Sequence, residues 1–296
     1  MIDASVYIFR AWYSLPPDLV DPDGQPTQAL YGFALFLGDL LERRQPSHIA
    51  VAFDSSHGSC FRNTLYPAYK ANREPPPPEL ARQFELCRQY CRHLGVAEFA
   101  HDRYEADDLI GTLAAHCRSA GLAVTVVSRD KDLAQLIGPE DVFWDYGDAA
   151  EYRYEQIAAR FGVLPERMAD YLALRGDSVD NVPGVPGVGA KTAALLMSHC
   201  TSLDELFEQL DSIARLPMRG ANSLPARLRE HRAAAYMARS LTRIVCDVPM
   251  TVSHMDLQRR APNLESIRDF CSGQGFGTLL CRQAERLSLA AHKTFA

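Results

Sequence analysis

Ile49-Ala50-Val51-Ala52-Phe53-Asp54 is an unbroken apolar run that ends on a carboxylate. A strand with one face in water alternates apolar and polar residues, so a continuous run is expected of a strand buried on both faces of a parallel sheet. Leu122-Ala123-Val124-Thr125-Val126-Val127 reads the same way and leads into Ser128-Arg129-Asp130-Lys131-Asp132. Residues 1–6 read as the tail of a third strand, ending at Asp3. Helical patterns lie between these runs. Residues 27–44 set Leu30, Phe33, Ala34, Leu37, Leu40 and Leu41 on one side, and four prolines at 75–78 precede a helix over about 79–94. Two more helices are expected at about 155–161 and 165–174. Strands alternating with helices predict an α/β fold with a central, mainly parallel sheet flanked by helices. Ligands of such sheets sit beyond the carboxyl ends of the strands.

Those ends carry acids. Asp3, Asp54 and the pair Asp130 and Asp132 each follow an apolar run. A further group opens the helix in Tyr104-Glu105-Ala106-Asp107-Asp108-Leu109-Ile110-Gly111, where Glu105 and Asp108 are three apart and lie side by side. Acids at a helix start also simply compensate its dipole, and an Asp after a strand is often a turn residue. Three acids in four residues repel one another unless a cation neutralises them. Asp177 and Asp180, three apart in a glycine-rich turn, complete a set of nine. No His or Cys is interleaved; His101, the nearest, reads as a surface residue. Hard oxygen ligands without nitrogen or sulfur select Mg²⁺ or Mn²⁺ over Zn²⁺. More carboxylates than one ion can use suggest a pair of ions, the arrangement of phosphodiester hydrolases.

The chain has 296 residues, 47% hydrophobic and 23% charged, as in ordinary globular proteins. Its net charge of −6 argues against nucleic-acid binding read from charge alone. Nine acids gathered at metal ions would more than account for that deficit, leaving the remaining surface net positive. The longest apolar stretch, residues 30–41, is too short to cross a bilayer, and residues 1–3 open no secretory signal. Eight scattered cysteines without a Cys-x-x-Cys pair fit a reduced, cytoplasmic protein without membrane contact.

Residues 61–73 are aromatic and basic: Phe61, Arg62, Tyr66, Tyr69, Lys70 and Arg73. Lys70 and Arg73 would lie together if the segment is helical, setting two cations over one phosphate, and Tyr69 could stack on a base. The other reading is a solvated basic turn with Tyr66 and Tyr69 in the core. Gly184-Val185-Pro186-Gly187-Val188-Gly189-Ala190-Lys191-Thr192, before an apolar helix, fits a helix-hairpin-helix. Its glycines let backbone N–H groups approach a phosphate, and Lys191 and Thr192 open the next helix.

With these motifs laid out, the chain resembles the 5′-nuclease family: the 5′–3′ exonuclease domain of bacterial DNA polymerase I, and flap endonucleases. Specific motifs carry the match from residue 1 to about 194, and a looser one runs to about 250. The resemblance implies a PIN-like core with a helical arch and a helix-hairpin-helix module. The implied division is residues 1–175 as nuclease core, with the arch region at about 61–100. Residues 176–296 would then be the duplex-binding module and a helical C-terminal region packed on the core. It further implies that Asp3, Asp54, Glu105, Asp107 and Asp108 serve mainly one Mg²⁺, and Asp130, Asp132, Asp177 and Asp180 a second, with Mn²⁺ able to substitute. Arg10, Lys70 and Arg73 would act at the scissile phosphate. Arg62 and Tyr69, with Gly184, Gly187, Gly189, Lys191 and Thr192, would contact nucleic acid, with a K⁺ at the hairpin. The implied partner is DNA with 5′ flaps or single-stranded ends beside duplex, RNA primers included, bound by a monomer.

Ala4 and Arg129 stand where many relatives have glycine, so Arg129 is expected to contact DNA or crowd the site. Two residues precede Asp3, so an upstream start is one expectation, and a free-standing nuclease rather than part of a polymerase is the other. Two rivals stay open: a DNA-junction binding protein with weak catalysis, and a PIN-type ribonuclease.

Overall fold

The computed structural model describes residues 1–55, 60–148, 150–218 and 220–294. The chain opens with β1 (Ile2–Asp3), α1 (Ala4–Ser14), α2 (Gln28–Arg44) and β2 (Ala50–Asp54). Next come α3 (Phe61–Leu65), α4 (Pro78–His93), β3 (Ala97–His101), α5 (Ala106–Ser119) and β4 (Thr125–Val127). A 3-10 turn over Lys131–Leu136 precedes β5 (Val142–Asp145), β6 (Ala150–Tyr152), α6 (Tyr154–Phe161), α7 (Met168–Arg175) and α8 (Ala190–His199). The rest is helical: α9 (Leu203–Glu208), α10 (Leu210–Ile213), α11 (Leu224–Glu230), α12 (Arg232–Thr242), α13 (Leu264–Gly273) and α14 (Thr278–Thr294). No helix among the described residues is long and apolar enough to cross a membrane.

These elements form two compact units that interleave along the chain. The first comprises Met1–Gly58, Pro75–Leu122 and Cys246–Ala296; the second comprises Ser59–Glu74 and Ala123–Val245. Compactness therefore does not follow the division at residue 175 expected from the sequence. The segment 61–100 is itself shared out, with α3 in the second unit and α4 in the first.

In the first unit β2 pairs in parallel with β1, Asp3 opposite Ala52, and with β3, Asp54 opposite His101. Every apolar residue of β2 is buried, as its unbroken run requires. Helix α2 buries Leu30, Phe33 and Leu37, its Phe33 ring 6.0 Å from that of Phe53 between centroids, and Tyr7 of α1 stacks on Phe36 at 3.8 Å. Helix α4 buries Leu80, Cys87, Tyr90 and Cys91. Its buried Gln83 does a cap's work for α2: Oε1 accepts the N–H groups of Ala29 at 2.8 Å and Leu30 at 3.0 Å, donors that the helix itself leaves unpaired.

In the second unit β4 runs parallel to β5, Val126 opposite Phe143, and β6 returns antiparallel to β5. Strand β4 is shorter than the apolar run around it. The Leu122 N–H bonds back to the Cys117 carbonyl at 3.0 Å, ending α5, and the Val124 N–H is taken by the Asp141 carboxylate at 2.8 Å. Helix α7 is buried almost throughout, and Ala173 of α7, Val182, and Ala238 and Leu241 of α12 make a core cluster with Tyr69 at its centre.

Candidate active site

Each unit presents acids at the ends of its strands. In the first unit, Asp3 ends β1 and caps α1, its Oδ1 accepting the Ser5 N–H at 3.1 Å. Asp54 ends β2 and is exposed; Oδ2 accepts the Ser5 hydroxyl at 2.7 Å and Oδ1 accepts the Ala106 N–H at 2.9 Å. One exposed carboxylate thus ties the start of α1 to the start of α5. Glu105 and Asp108 form a capping box, with Asp108 Oδ2 accepting the Glu105 N–H at 3.1 Å. Asp108 is wholly buried, whereas Asp107 lies in the first turn outside the box. Arg10 is exposed on α1. Ser5 had not been singled out in the sequence; its signal is its place two residues after Asp3.

In the second unit Asp130, Asp132 and Asp177 gather around Lys131, and Asp180 acts on Asp132. Asp130 caps the 3-10 turn, its Oδ1 accepting the Asp132 N–H at 2.9 Å. Asp177 is buried beside a bridge to Val182 and accepts the Lys131 ammonium at 2.6 Å and the Val179 N–H at 2.8 Å. Asp132 Oδ1 is buried, accepts no hydrogen bond, and stands 3.4 Å from Lys131 Nζ. Burial, reinforced by the charge of Asp130, pushes the Asp132 carboxyl up to about 7, with Asp177 and Asp180 adding to the rise and Lys131 opposing it. Burial pushes Asp177 up as well, but the Lys131 hydrogen bond and charge overcome it and hold that carboxyl low. Burial would lower Lys131; the charges of Asp132 and Asp177 raise it instead, so it stays protonated.

Asp180 takes the basic segment. It accepts Arg73 in a short ion pair, Tyr69 Oη at 3.3 Å, and lies 3.7 Å from Lys70 Nζ. The residues do not meet by helical spacing, because α3 stops at Leu65 and Lys70 has a left-handed φ of 54°. The turn is laced to the 177–181 loop instead. The Lys70 N–H bonds to the Asp180 carbonyl at 2.9 Å, Asn72 Nδ2 to the Ser178 carbonyl at 3.1 Å, and Asn181 Nδ2 to the Ala68 carbonyl at 2.7 Å.

Two sequence expectations need correction. Tyr69 is 4% exposed in the core cluster, so its ring cannot stack on a base; only its hydroxyl reaches the acids. Arg62 is 2% exposed and donates to the Leu241 carbonyl at 2.8 Å and the Arg243 carbonyl at 3.0 Å, closing the end of α12 rather than facing nucleic acid. Arg129, its side chain 44% exposed, pairs with Asp145 and Asp148 at 3.4 Å each.

The glycine hairpin joins α7 to α8. Gly176 has φ 78°, and a Cβ on Gly184 would run into the backbone of Arg175 and Gly176, so the chain can reverse here only without side chains. Gly189 caps α8, Lys191 is exposed in its first turn, and Thr192 is half-buried beside it. The first N–H groups of such a helix have no partner within it.

Among the described residues, no three His, Cys, Asp or Glu side chains stand close enough together to hold an ion as they are. In the second unit the physical reason is plain: Asp177 and Asp180 are already engaged by ammonium and guanidinium groups.

Comparison with known proteins agrees with this architecture. Residues 1–162 match the 5′-3′ exonuclease, N-terminal resolvase-like domain, and residues 163–265 match the 5′-3′ exonuclease, C-terminal SAM fold. The chain is 39% identical over 295 residues to DNA polymerase I of Rhizobium leguminosarum, covering 96% of this chain and 28% of that protein. It is 35% identical over 289 residues to DNA polymerase I of Bacillus subtilis, covering 96% of this chain and 32% of that protein. It thus spans about a third of the length of these curated relatives. Among solved structures, T5 5′-exonuclease with bound zinc superposes with a TM-score of 0.67 at 17% identity, covering 97% of this chain and 96% of that one. The catalytic core of Rad2 in complex with DNA substrate gives 0.64 at 13% identity, covering 98% and 90%. At such identities the likeness is one of fold. The sequence match over both domains is what decides membership: the chain belongs to the 5′–3′ exonuclease family.

Proposed function

We propose that the chain is a divalent-metal-dependent, structure-specific 5′ nuclease. It would degrade DNA from 5′ ends and cut 5′ flaps beside duplex, RNA primers included. Asp3, Asp54, Glu105, Asp107 and Asp108 would hold one ion; Asp130, Asp132, Asp177 and Asp180 would hold a second. The donor set fits: it is all carboxylate oxygen, the preference of Mg²⁺ and Mn²⁺. The observation that carries the reading is Asp132 Oδ1, a buried carboxylate oxygen that accepts no hydrogen bond and has one ammonium, that of Lys131 at 3.4 Å, against the charges of Asp130, Asp177 and Asp180. Such a group is costly unless a cation neutralises it. When bound, the ions supply Lewis-acid chemistry at the scissile phosphodiester. The chain's own part is to present Lys70 and Arg73 from a laced turn, and Arg10 from α1, as cations that can turn to the phosphate. The hairpin and Lys191 grip duplex backbone without reading sequence.

The test is cleavage of a labelled 5′-flap duplex. Cutting near the junction with Mg²⁺, abolished by chelator, is expected. Binding without cutting would favour a junction-binding protein, and equal cutting of unstructured RNA would favour a PIN-type ribonuclease. A second expectation concerns the hairpin: Lys191→Ala should weaken duplex binding and lower the slope of log affinity against log salt by about 1, since each phosphate contact releases counterions. An unchanged slope in a salt titration would remove Lys191 from the interface.

A further inference from the structure

Lys131 sits between Asp130 and Asp132 in the chain and inside the acidic cluster in space. Its ammonium donates to Asp177 Oδ2 at 2.6 Å and stands 3.4 Å from Asp132 Oδ1, bridging acids that are 45 positions apart (132 and 177). Its side chain is 32% exposed, so the ammonium can leave the cluster by rotating its stem toward solvent. Lysine suits such a role. Its charge is a compact point on four flexible methylenes, without the planar fork that locks arginine to one carboxylate.

We propose that Lys131 is the resident counter-ion of the second acidic cluster. It holds Asp177 and Asp132 together while no divalent ion is bound, and it must give up Asp177 before one can enter. Lys131 thereby sets the divalent-ion concentration at which this half of the site loads. The inference rests on the reading of Asp130, Asp132, Asp177 and Asp180 as ion ligands, but it makes a claim that reading does not. Removing a positive charge from beside a ligand should strengthen ion binding, because it removes both a competitor for Asp177 and a repulsive neighbour of the incoming cation. A lysine that only braced the loop would act in the opposite sense, since its loss would loosen the ligands and weaken binding.

The experiment is calorimetric titration of the DNA-free chain with Mn²⁺ alone at pH 8, for wild type, Lys131→Met, Lys131→Arg and Asp177→Asn. Lys131→Met is expected to bind Mn²⁺ about tenfold more tightly at one site, the scale of one like-charge contact in a partly solvated cluster. Lys131→Arg, which keeps the charge and adds a fork that holds the carboxylates more firmly, should bind Mn²⁺ more weakly than wild type. Unchanged or weaker binding by folded Lys131→Met overturns the proposal. Should Lys131→Met fail to fold by circular dichroism, Lys131→Arg decides: weaker Mn²⁺ binding than wild type supports the proposal, and equal or tighter binding overturns it. Asp177→Asn separates the premise from the inference. If it takes up Mn²⁺ as wild type does, the ion-ligand reading of this cluster is itself wrong.

Discussion

Asp132→Asn is expected to make the chelated protein more stable while cutting flap cleavage by roughly 10²–10⁴-fold, the several kcal/mol that a catalytic ion contributes. The two effects come from one cause. The Asp132 carboxyl titrates at about 7 in the folded protein, mainly through burial and the charge of Asp130, against 3.8 for an ordinary aspartate. Between those values the native state keeps a proton that the unfolded chain has released. Stability therefore falls as pH rises from about 4 to 7, and the penalty is fully present above that window. A shift of this size corresponds to about 4 kcal/mol. With chelator at pH 8, the asparagine variant should melt roughly 4–10 °C higher than wild type. The fall in wild-type Tm between pH 5 and 8 should flatten in the variant, and Mg²⁺ should restore the wild type alone. A variant that melts lower than wild type in chelator would mean that Asp132 is held by favourable contacts and needs no ion to offset its burial.

Arg62→Ala should be the most destabilising single substitution considered. The guanidinium is buried, lies 4.6 Å from the Phe61 ring centroid, and satisfies the carbonyls of Leu241 and Arg243 where α12 ends. Truncation takes the guanidinium away from the buried Leu241 carbonyl and the part-buried Arg243 carbonyl and leaves a cavity beside Phe61. The expected loss is about 3–5 kcal/mol, or a Tm lower by roughly 6–15 °C. Arg62→Lys should recover only part of this, since one ammonium cannot reach both carbonyls in the same geometry. Thermal melts check the loss. If Arg62→Ala melts like wild type but loses affinity for DNA, the side chain belongs to the interface after all.

Much of the fold was legible because single-residue periodicity reports burial. The run before Asp54 forms β2, residues 27–44 form α2 almost to the residue, and the proline cluster marks the start of α4. Strands β3, β5 and β6 went unread. In Ala97–His101 every residue is half-buried, so neither alternation nor a continuous apolar run stands out. The residues 142–145 and 150–152 are too short for any period to show. Helix α1 was missed because its buried face is only Ala4, Tyr7, Ile8 and Ala11, with Arg10 and Tyr13 turned outward. At the site, local spacing singles out the acids as candidates, but their partners lie far away in sequence. Nothing in residues 61–73 tells that Arg62 would face carbonyls beyond residue 240, or that Tyr69 would fill a core built from α7 and α12. Composition marks a basic aromatic segment as a surface candidate, and only tertiary packing separates the cations that point outward from the one that is buried.

The partition of the second unit also dictates the order in which the protein can be made. Residues 59–74 emerge from the ribosome early, yet the carbonyls that Arg62 satisfies come 179 and 181 residues later. At ordinary translation speeds that interval is roughly 10–40 s. For that time Tyr66 and Tyr69 have no hydrophobic partner from α12 to cover them. A nascent chain stalled before residue 241 therefore displays a sticky aromatic patch, a natural point of engagement for chaperones.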